Sequence, residues 1–327
     1  MATLLREIQL FLTIAVLLLS ASASSAQDPD LLRHFDYDRT TPLNLKRIGV
    51  AHRERADVYD IAYDSLKGGV VPAYLVVPKG RGPFAAVIWG HWYWPNSSMA
   101  NRKQFLEEAV VLAQAGVVSL LIDGPRARPG HVESKDPFDE RRFADYVQQV
   151  MDMRRGVDVL LARPDVDAKR IAYVGHSYNA GVGALLSGVD RRFKAFVLMA
   201  GSMSDEVGRA TKEFQAFRQK AGAEKVDALI EKYSYLDQGK YVSHAAPAIV
   251  FLQFATQEKF LTPERARQHA AIVSEPKRFK LYEAPHALNA EARRDRITFL
   301  IEQLKLKPLP ATAIAGIPNL YQPPEPN

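Results

Sequence analysis

The sequence predicts an α/β protein: a mostly parallel, eight-stranded sheet with helices on both faces and a short helical insertion. Three observations predict it. A hairpin pattern opens the regular part of the chain. Apolar runs of strand length then alternate with stretches of helical periodicity, the sequence mark of a parallel sheet covered on both sides. One long polar, helix-rich segment breaks the alternation late in the chain.

The elements follow in order. Asp28 to Arg55 is polar and irregular and is expected to strap across the surface. Val58 to Asp64 alternates, Gly68-Gly69 turns, and Val70 to Val77 runs to Pro78, which makes the hairpin. Phe84 to Trp89 is continuously apolar, as buried strands are. Arg102 to Ala115 reads as a helix with Phe105, Ala109, Leu112 and Ala113 inward and Gly116 as its stop. Val117 to Ile122 is another buried strand. Asp139 to Leu161 is the clearest helix, with Phe143, Tyr146, Val147, Val150, Val157, Leu160 and Leu161 at helical spacing and Pro164 beyond its end. A short strand at Ile171 to Val174 leads into a small-residue helix from Ala180, and Phe193 to Ala200 is the next strand. Met203 to Ala246 is the inserted segment. Ala248 to Ala255 is a strand, and Thr262-Pro263-Glu264 opens a helix with Thr as cap and Pro at its first position. Arg278 to Glu283 and Asn289 to Leu304 are the last strand and helix. The expected organisation is one domain over residues 27–306, interrupted by residues 203–246, with a proline-rich tail, 307–327, as a disordered end or a strap.

Composition narrows the classes. The chain has 327 residues, 47% hydrophobic and 24% charged, enough apolar material for one large core. Met1 to Ala26 stands apart: Arg6 near its start, an apolar run from Ile8 to Leu19, then small residues with Ser24 and Ala26 at the −3 and −1 positions of a cleavage site. This predicts a signal peptide cut after Ala26 and a secreted or periplasmic protein with no stable membrane span afterwards, a retained anchor being the alternative. The absence of cysteine excludes disulfides, thiolate chemistry and Cys-based metal sites. The net charge of +6 is spread over basic pairs (Arg141-Arg142, Arg154-Arg155, Arg191-Arg192, Arg293-Arg294) set among acidic residues. These are expected to be solvated faces and not a nucleic-acid groove.

The chemistry gathers where parallel strands end. Those positions carry His91, Asp123, Ser177, Glu258 and His286. Ser177 lies in Gly175-His176-Ser177-Tyr178-Asn179 between a strand and a helix, the setting of a nucleophile elbow. A serine nucleophile needs a base to take its proton, and the base needs a carboxylate to fix its tautomer. The chain order Ser177, Glu258, His286 matches the nucleophile–acid–histidine order of one fold in particular.

Several stretches resemble one family. Ala73-Tyr74-Leu75-Val76-Val77-Pro78 with Pro83-Phe84-Ala85-Ala86-Val87 resembles its opening hairpin and third strand. Leu161-Ala162-Arg163-Pro164-Asp165-Val166-Asp167 before Arg170-Ile171 resembles its approach to the elbow, and His286 before Arg294-Asp295-Arg296 and Phe299-Leu300 resembles its last helix. Over about Asp57 to Leu304 the chain is similar to α/β-hydrolases of the dienelactone-hydrolase and acetyl-xylan-esterase-like group. The resemblance implies the α/β-hydrolase fold with Met203–Ala246 as a cap. It implies Ser177 as nucleophile, His286 as general base and then acid, and Glu258 as the orienting acid where the family usually has Asp, with Asp205 as fallback. The oxyanion hole would use the amides of Tyr178 and Tyr93. In that loop the family reads His-Gly-X and this chain His91-Trp92-Tyr93, so Trp92 departs from the pattern. His91 is expected to brace this loop, and Asp123 to structure the one after its own strand. Trp92, Trp94 and His91 border the expected substrate-binding region, as an acyl, aromatic or sugar subsite or as packing against the cap. Asn179 stands where glycine is usual two residues after the serine and predicts a slightly loosened elbow. The implied activity is hydrolysis of a small-molecule carboxylic ester through an acyl-enzyme, with no cofactor or metal. A prolyl-oligopeptidase-like peptidase and a non-catalytic binding protein on the same fold are the alternatives.

Overall fold

The computed structural model describes residues 27–324 except Pro95, Lys135, Lys259 and Phe260. The expected signal peptide lies outside the described residues. The strands are β1 (Lys46–His52), β2 (Ala56–Asp64), β3 (Val70–Pro78), β4 (Phe84–Gly90), β5 (Val117–Ile122), β6 (Val166–His176), β7 (Ala195–Met199), β8 (Ile249–Ala255) and β9 (Lys277–Tyr282). They form one sheet in the order β1-β2-β3-β5-β4-β6-β7-β8-β9. The pairs from β1 to β3, and β3 with β5, are antiparallel; all others are parallel.

The sheet has nine strands and not eight. The added one, β1, falls in the stretch expected to be irregular. Its residues are mostly exposed and charged or small, and its backbone pairs with β2 at the sheet edge across a register shift at Arg47/Gly49. Nothing buries its side chains, so no apolar pattern marks it; a charged edge also discourages pairing with other chains.

Eleven α-helices are described: α1 (Pro29–Arg33), α2 (Leu106–Ala113), α3 (Arg141–Leu161), α4 (Tyr178–Val189), α5 (Asp205–Arg209), α6 (Lys212–Ala221), α7 (Ala223–Lys232), α8 (Gly239–Val242), α9 (Pro263–Ile272), α10 (Ala290–Leu304) and α11 (Ala311–Ala315). The pleat of β4 divides the core: Phe84, Ala86 and Ile88 pack with α3, α4, α8 and α9, while Ala85, Val87 and Trp89 pack with α2 and α10. Thr262 caps α9 by accepting from the Arg265 amide. Helix α2 starts four residues later than expected because the Arg102 amide donates to Asp123 Oδ1 (2.7 Å), which holds that stretch in turns.

One of the basic pairs is not solvated. Arg154 and Arg155 are 4% and 0% exposed. Arg154 pairs with Asp190 (3.3 Å) and donates to the Phe35 carbonyl, and Arg155 donates to the carbonyls of Thr41 (2.9 Å) and Pro42 (3.0 Å). Arg192 closes the network on Asp158 and Asp190, 2.5 Å from each. Burying a guanidinium is tolerated only when it is paired and hydrogen-bonded. Here the partners are the N-terminal strap and two distant aspartates, which no local charge pattern reveals.

Because β4 to β9 run parallel, their following loops collect along one edge. Between β7 and β8, α5 to α8 rise beside that edge. They meet the first turn of α3 through the Phe143–Tyr233 ring stack (centroids 3.9 Å) and the Lys232–Glu140 pair (2.6 Å). No helix among the described residues is long and apolar enough to cross a membrane.

Candidate active site

Ser177 sits between β6 and α4 with φ 56° and ψ −116°. A non-glycine residue at positive φ is strained and persists only where its surroundings impose it. The constraint comes from both sides. A Cβ at Gly175 would lie 2.2 Å from the Asn179 carbonyl, and one at Gly201 would lie 2.2 Å from the Ser177 carbonyl. The Ser177 amide donates to the Met199 carbonyl (2.7 Å), which fastens the turn to β7.

Asn179 does not loosen this elbow. It is 1% exposed; its Nδ2 donates to the His91 carbonyl (2.6 Å) and its Oδ1 accepts from Gln149 Nε2 (3.0 Å). The space a glycine would leave at this position is supplied across the sheet. Gly90, paired in register with Gly175, would place a Cβ 2.5 Å from Asn179 Cβ. The glycine requirement has moved to the neighbouring strand, and the asparagine ties that strand's exit to the elbow.

His286 lies after β9 and Glu258 after β8, and their loops are joined by backbone bonds from Thr256 to Tyr282 and from Gln257 to Ala284. His286 Nδ1 is hydrogen-bonded to Glu258 Oε1. A carboxylate accepts, so the proton sits on Nδ1 and the lone pair on Nε2. That Nε2 is buried and has no hydrogen-bond partner among the described residues, and neither has the Ser177 hydroxyl. Asp205 is elsewhere: it pairs with Arg209 (2.8 Å) on α5 and makes no bond to His286.

Two other histidines crowd the site, and both ring nitrogens of each are occupied. His91 Nε2 accepts from the Gly124 amide (3.1 Å), so Nδ1 carries the proton and donates to the Trp92 carbonyl (2.7 Å). Burial pushes its pKa below the usual range and keeps it neutral. His176 donates through Nε2 to the His286 carbonyl (2.9 Å) and accepts at Nδ1 from Gln104 Nε2 (2.6 Å). Burial, followed by the neighbouring His286, holds its pKa well below the ordinary value.

Among the residues expected at substrate, His91 and Trp92 are placed as braces. Trp92 is 0% exposed, and its ring stacks against Trp94, His176 and His286 at centroid distances of 5.6, 5.1 and 6.1 Å. Trp94 is half-buried, packs on His286 (4.9 Å) and donates from Nε1 to the Pro323 carbonyl (2.9 Å). The described part of the tail is therefore a strap: Gln322 Oε1 also accepts from the Ala287 amide (2.9 Å), next to His286. Asp123 binds the Arg102 backbone, as a structural role requires.

The rings of Tyr178, next after the serine, and Tyr93 share one arginine, and the Tyr178 amide, first in α4, has no partner within its helix. Between the two rings lies Arg126, 3.5 Å from the Tyr93 centroid and 5.4 Å from that of Tyr178, paired outward with Glu133 (2.5 Å). Beyond it opens a cavity of about 440 Å³ lined by Arg126, Arg142, Phe143, Tyr146, Tyr178 and Tyr233. Burial raises the pKa of the Tyr178 phenol, and its hydroxyl has no partner among the described residues. Sequence reasoning missed Gln104, Arg126 and a role for His176. Only His176, one residue before the serine, carried any local signal. No cluster of three or more His, Cys, Asp or Glu able to share a metal ion occurs among the described residues.

Neither family models nor curated proteins match the sequence. Solved structures do. An acetyl xylan esterase from Paenibacillus sp. R4 aligns with a TM-score of 0.65 and 18% identity over 85% of this chain and 100% of its own. Acetyl xylan esterase 1 from Thermoanaerobacterium sp. JW/SL YS485 gives 0.68 and 15% over 84% and 92%. A glucuronoyl esterase from Solibacter usitatus gives 0.61 and 14% over 87% and 93%. At these identities the likeness is one of fold, and it agrees with the strand order and the elbow described above: the chain has the α/β-hydrolase fold.

Proposed function

We propose that this protein hydrolyses carboxylic esters of small molecules through a Ser177–His286–Glu258 triad. The observation that carries the reading is the state of His286. Its Nδ1 is held by Glu258 while its buried Nε2 is unpaired, on a loop bonded to the residue preceding the strained Ser177. A neutral imidazole in that tautomer can take one proton, and a serine on a strained turn can give one. Catalytic hydrogen bonds are often long before substrate binds. The esterases among the solved structures with the same fold support the same reaction class.

In the proposed sequence Ser177 Oγ attacks the ester carbonyl as its proton passes to His286 Nε2. The amides of Tyr178 and Tyr93 hold the oxyanion. The tetrahedral adduct expels the alcohol, which takes the proton from Nε2, and leaves an acyl-serine. Water, deprotonated by the same Nε2, then releases the acid and restores Ser177. Glu258 keeps the imidazole oriented and stabilises its cationic form. The cavity beside Tyr178 offers room for one arm of the ester. We also propose export, with cleavage after Ala26, which an N-terminus at Gln27 in the exported protein would support.

Turnover of p-nitrophenyl esters from acetate to long chains tests the reaction and sizes the acyl site. Ser177→Ala is expected to lose activity by roughly 10⁵–10⁶-fold and to lose labelling by a fluorophosphonate. A folded protein that neither labels nor turns over esters would be a binding protein on this fold. Cleavage of peptide anilides without ester turnover would make it a peptidase.

A further inference from the structure

Three hydrogen bonds run through the base of the site in a line. The Trp92 amide donates to Gln104 Oε1 (2.6 Å), Gln104 Nε2 donates to His176 Nδ1 (2.6 Å), and His176 Nε2 donates to the His286 carbonyl (2.9 Å). Their polarity is forced from both ends. A carbonyl can only accept, so His176 carries its proton on Nε2. A neutral imidazole then has only a lone pair at Nδ1, so Gln104 must present its NH₂ there. Its oxygen is left facing an amide that can only donate. Glutamine is the one side chain of this length that accepts at one atom and donates at the other. Ionised glutamate cannot donate, lysine cannot accept, and asparagine is a carbon shorter.

The line joins three parts of the proposed machinery. Trp92 precedes Tyr93, the second oxyanion donor; His176 precedes Ser177; and the last acceptor belongs to His286 itself. The stacked rings of Trp92, His176 and His286 fill the space between them. We infer that Gln104 is a positioning residue, which fixes the oxyanion loop and the His286 loop to a common point beside the nucleophile. The inference rests on the proposed roles of Ser177 and His286. The charged or titratable groups facing His176 are His286 on one side and Arg296, itself paired with Glu108 (2.5 Å), on the other.

Two variants and a spectrum test it. Gln104→Ala is expected to lower kcat on the order of 10²-fold with little change in KM, the signature of misplaced groups, at a pH dependence like that of wild type. Gln104→Glu keeps the shape of the side chain but sets a carboxylate against the Nδ1 lone pair. Uptake of one shared proton restores the original polarity. The ratio of its kcat to that of wild type is therefore expected to rise by up to about tenfold per unit as pH falls, which a merely structural role would not produce. Independent of turnover, ¹⁵N spectra of imidazole and backbone amide nitrogens should show His176 protonated on Nε2 in wild type, with the His286 imidazole and Tyr93 amide resonances displaced in Gln104→Ala. If wild type hydrolyses esters but the alanine variant matches its kcat, or the glutamate ratio is flat in pH, the positioning role is wrong. If wild type is inactive, the triad reading fails and the spectra decide: undisturbed His286 and Tyr93 resonances overturn the inference, displaced ones support it.

Discussion

Two histidines near the carboxyl edge of the sheet, His269 and His286, are wired in opposite senses. Ser202 and His269 form a direct bond of 2.7 Å (Oγ to Nε2) and are both buried. Yet His269 Nδ1 accepts from the Ser204 amide (3.2 Å), so Nε2 bears the proton and donates to the serine. That imidazole has no lone pair facing the hydroxyl, and its far nitrogen is bonded to an amide and not to a carboxylate. It is a clamp between α9 and the turn after β7. His286 is wired the opposite way: a carboxylate takes Nδ1, and Nε2 is left with its lone pair. The difference teaches that a general base is defined by the occupant of its far nitrogen, and not by closeness to a serine.

The contrast can be broken at several points. The largest expected effect is from Glu258→Gln, which removes the charge behind His286 and allows the wrong tautomer. On the proposed reading kcat falls by about 10⁴-fold, measured on the best ester of the series. A loss of only a few-fold would show that the carboxylate does not set the base. The middle effect concerns stability. Burial lowers the pKa of His269 from 6.5 to about 4. The unfolded state therefore takes up a proton that the folded state refuses, and stability falls as pH drops from near 6.5 to about 4. The full loss attributable to this residue is about 3 kcal/mol. Urea unfolding across this range should give a shallower pH slope for His269→Gln than for wild type. Equal slopes would mean that His269 is protonated in the fold. The smallest effect on catalysis is expected from Ser202→Ala. It leaves kcat near the wild-type value while costing about 1–3 kcal/mol for an unpaired buried donor, read as a shift in urea midpoint. A collapse of kcat would make the Ser202–His269 pair part of the machinery.

What was legible in the sequence was whatever burial or covalent neighbourhood writes locally. The alternating runs marked eight strands, Thr262-Pro263 marked the start of α9, and Gly175-His176-Ser177 marked the turn. The order of Ser177, Glu258 and His286 was readable because parallel strands deliver their ends to one edge. Strand β1 was not readable, since an exposed edge strand is held by backbone bonds to β2 that leave no apolar pattern.

Pairings between distant segments were decided by the tertiary structure alone. Arg154 and Arg155 look like a solvated pair until the strap and Asp190 come to them. Asn179 looks like a defect until Gly90 arrives from the next strand and vacates the volume a side chain would fill. Gln104 carries no local signal at all; its role exists only once Trp92, His176 and His286 surround it. Periodicity records which face of an element avoids water, a property each segment has by itself. Hydrogen-bond polarity and close packing are properties of pairs, and a pair has no chemistry until the fold brings its members within about 3 Å.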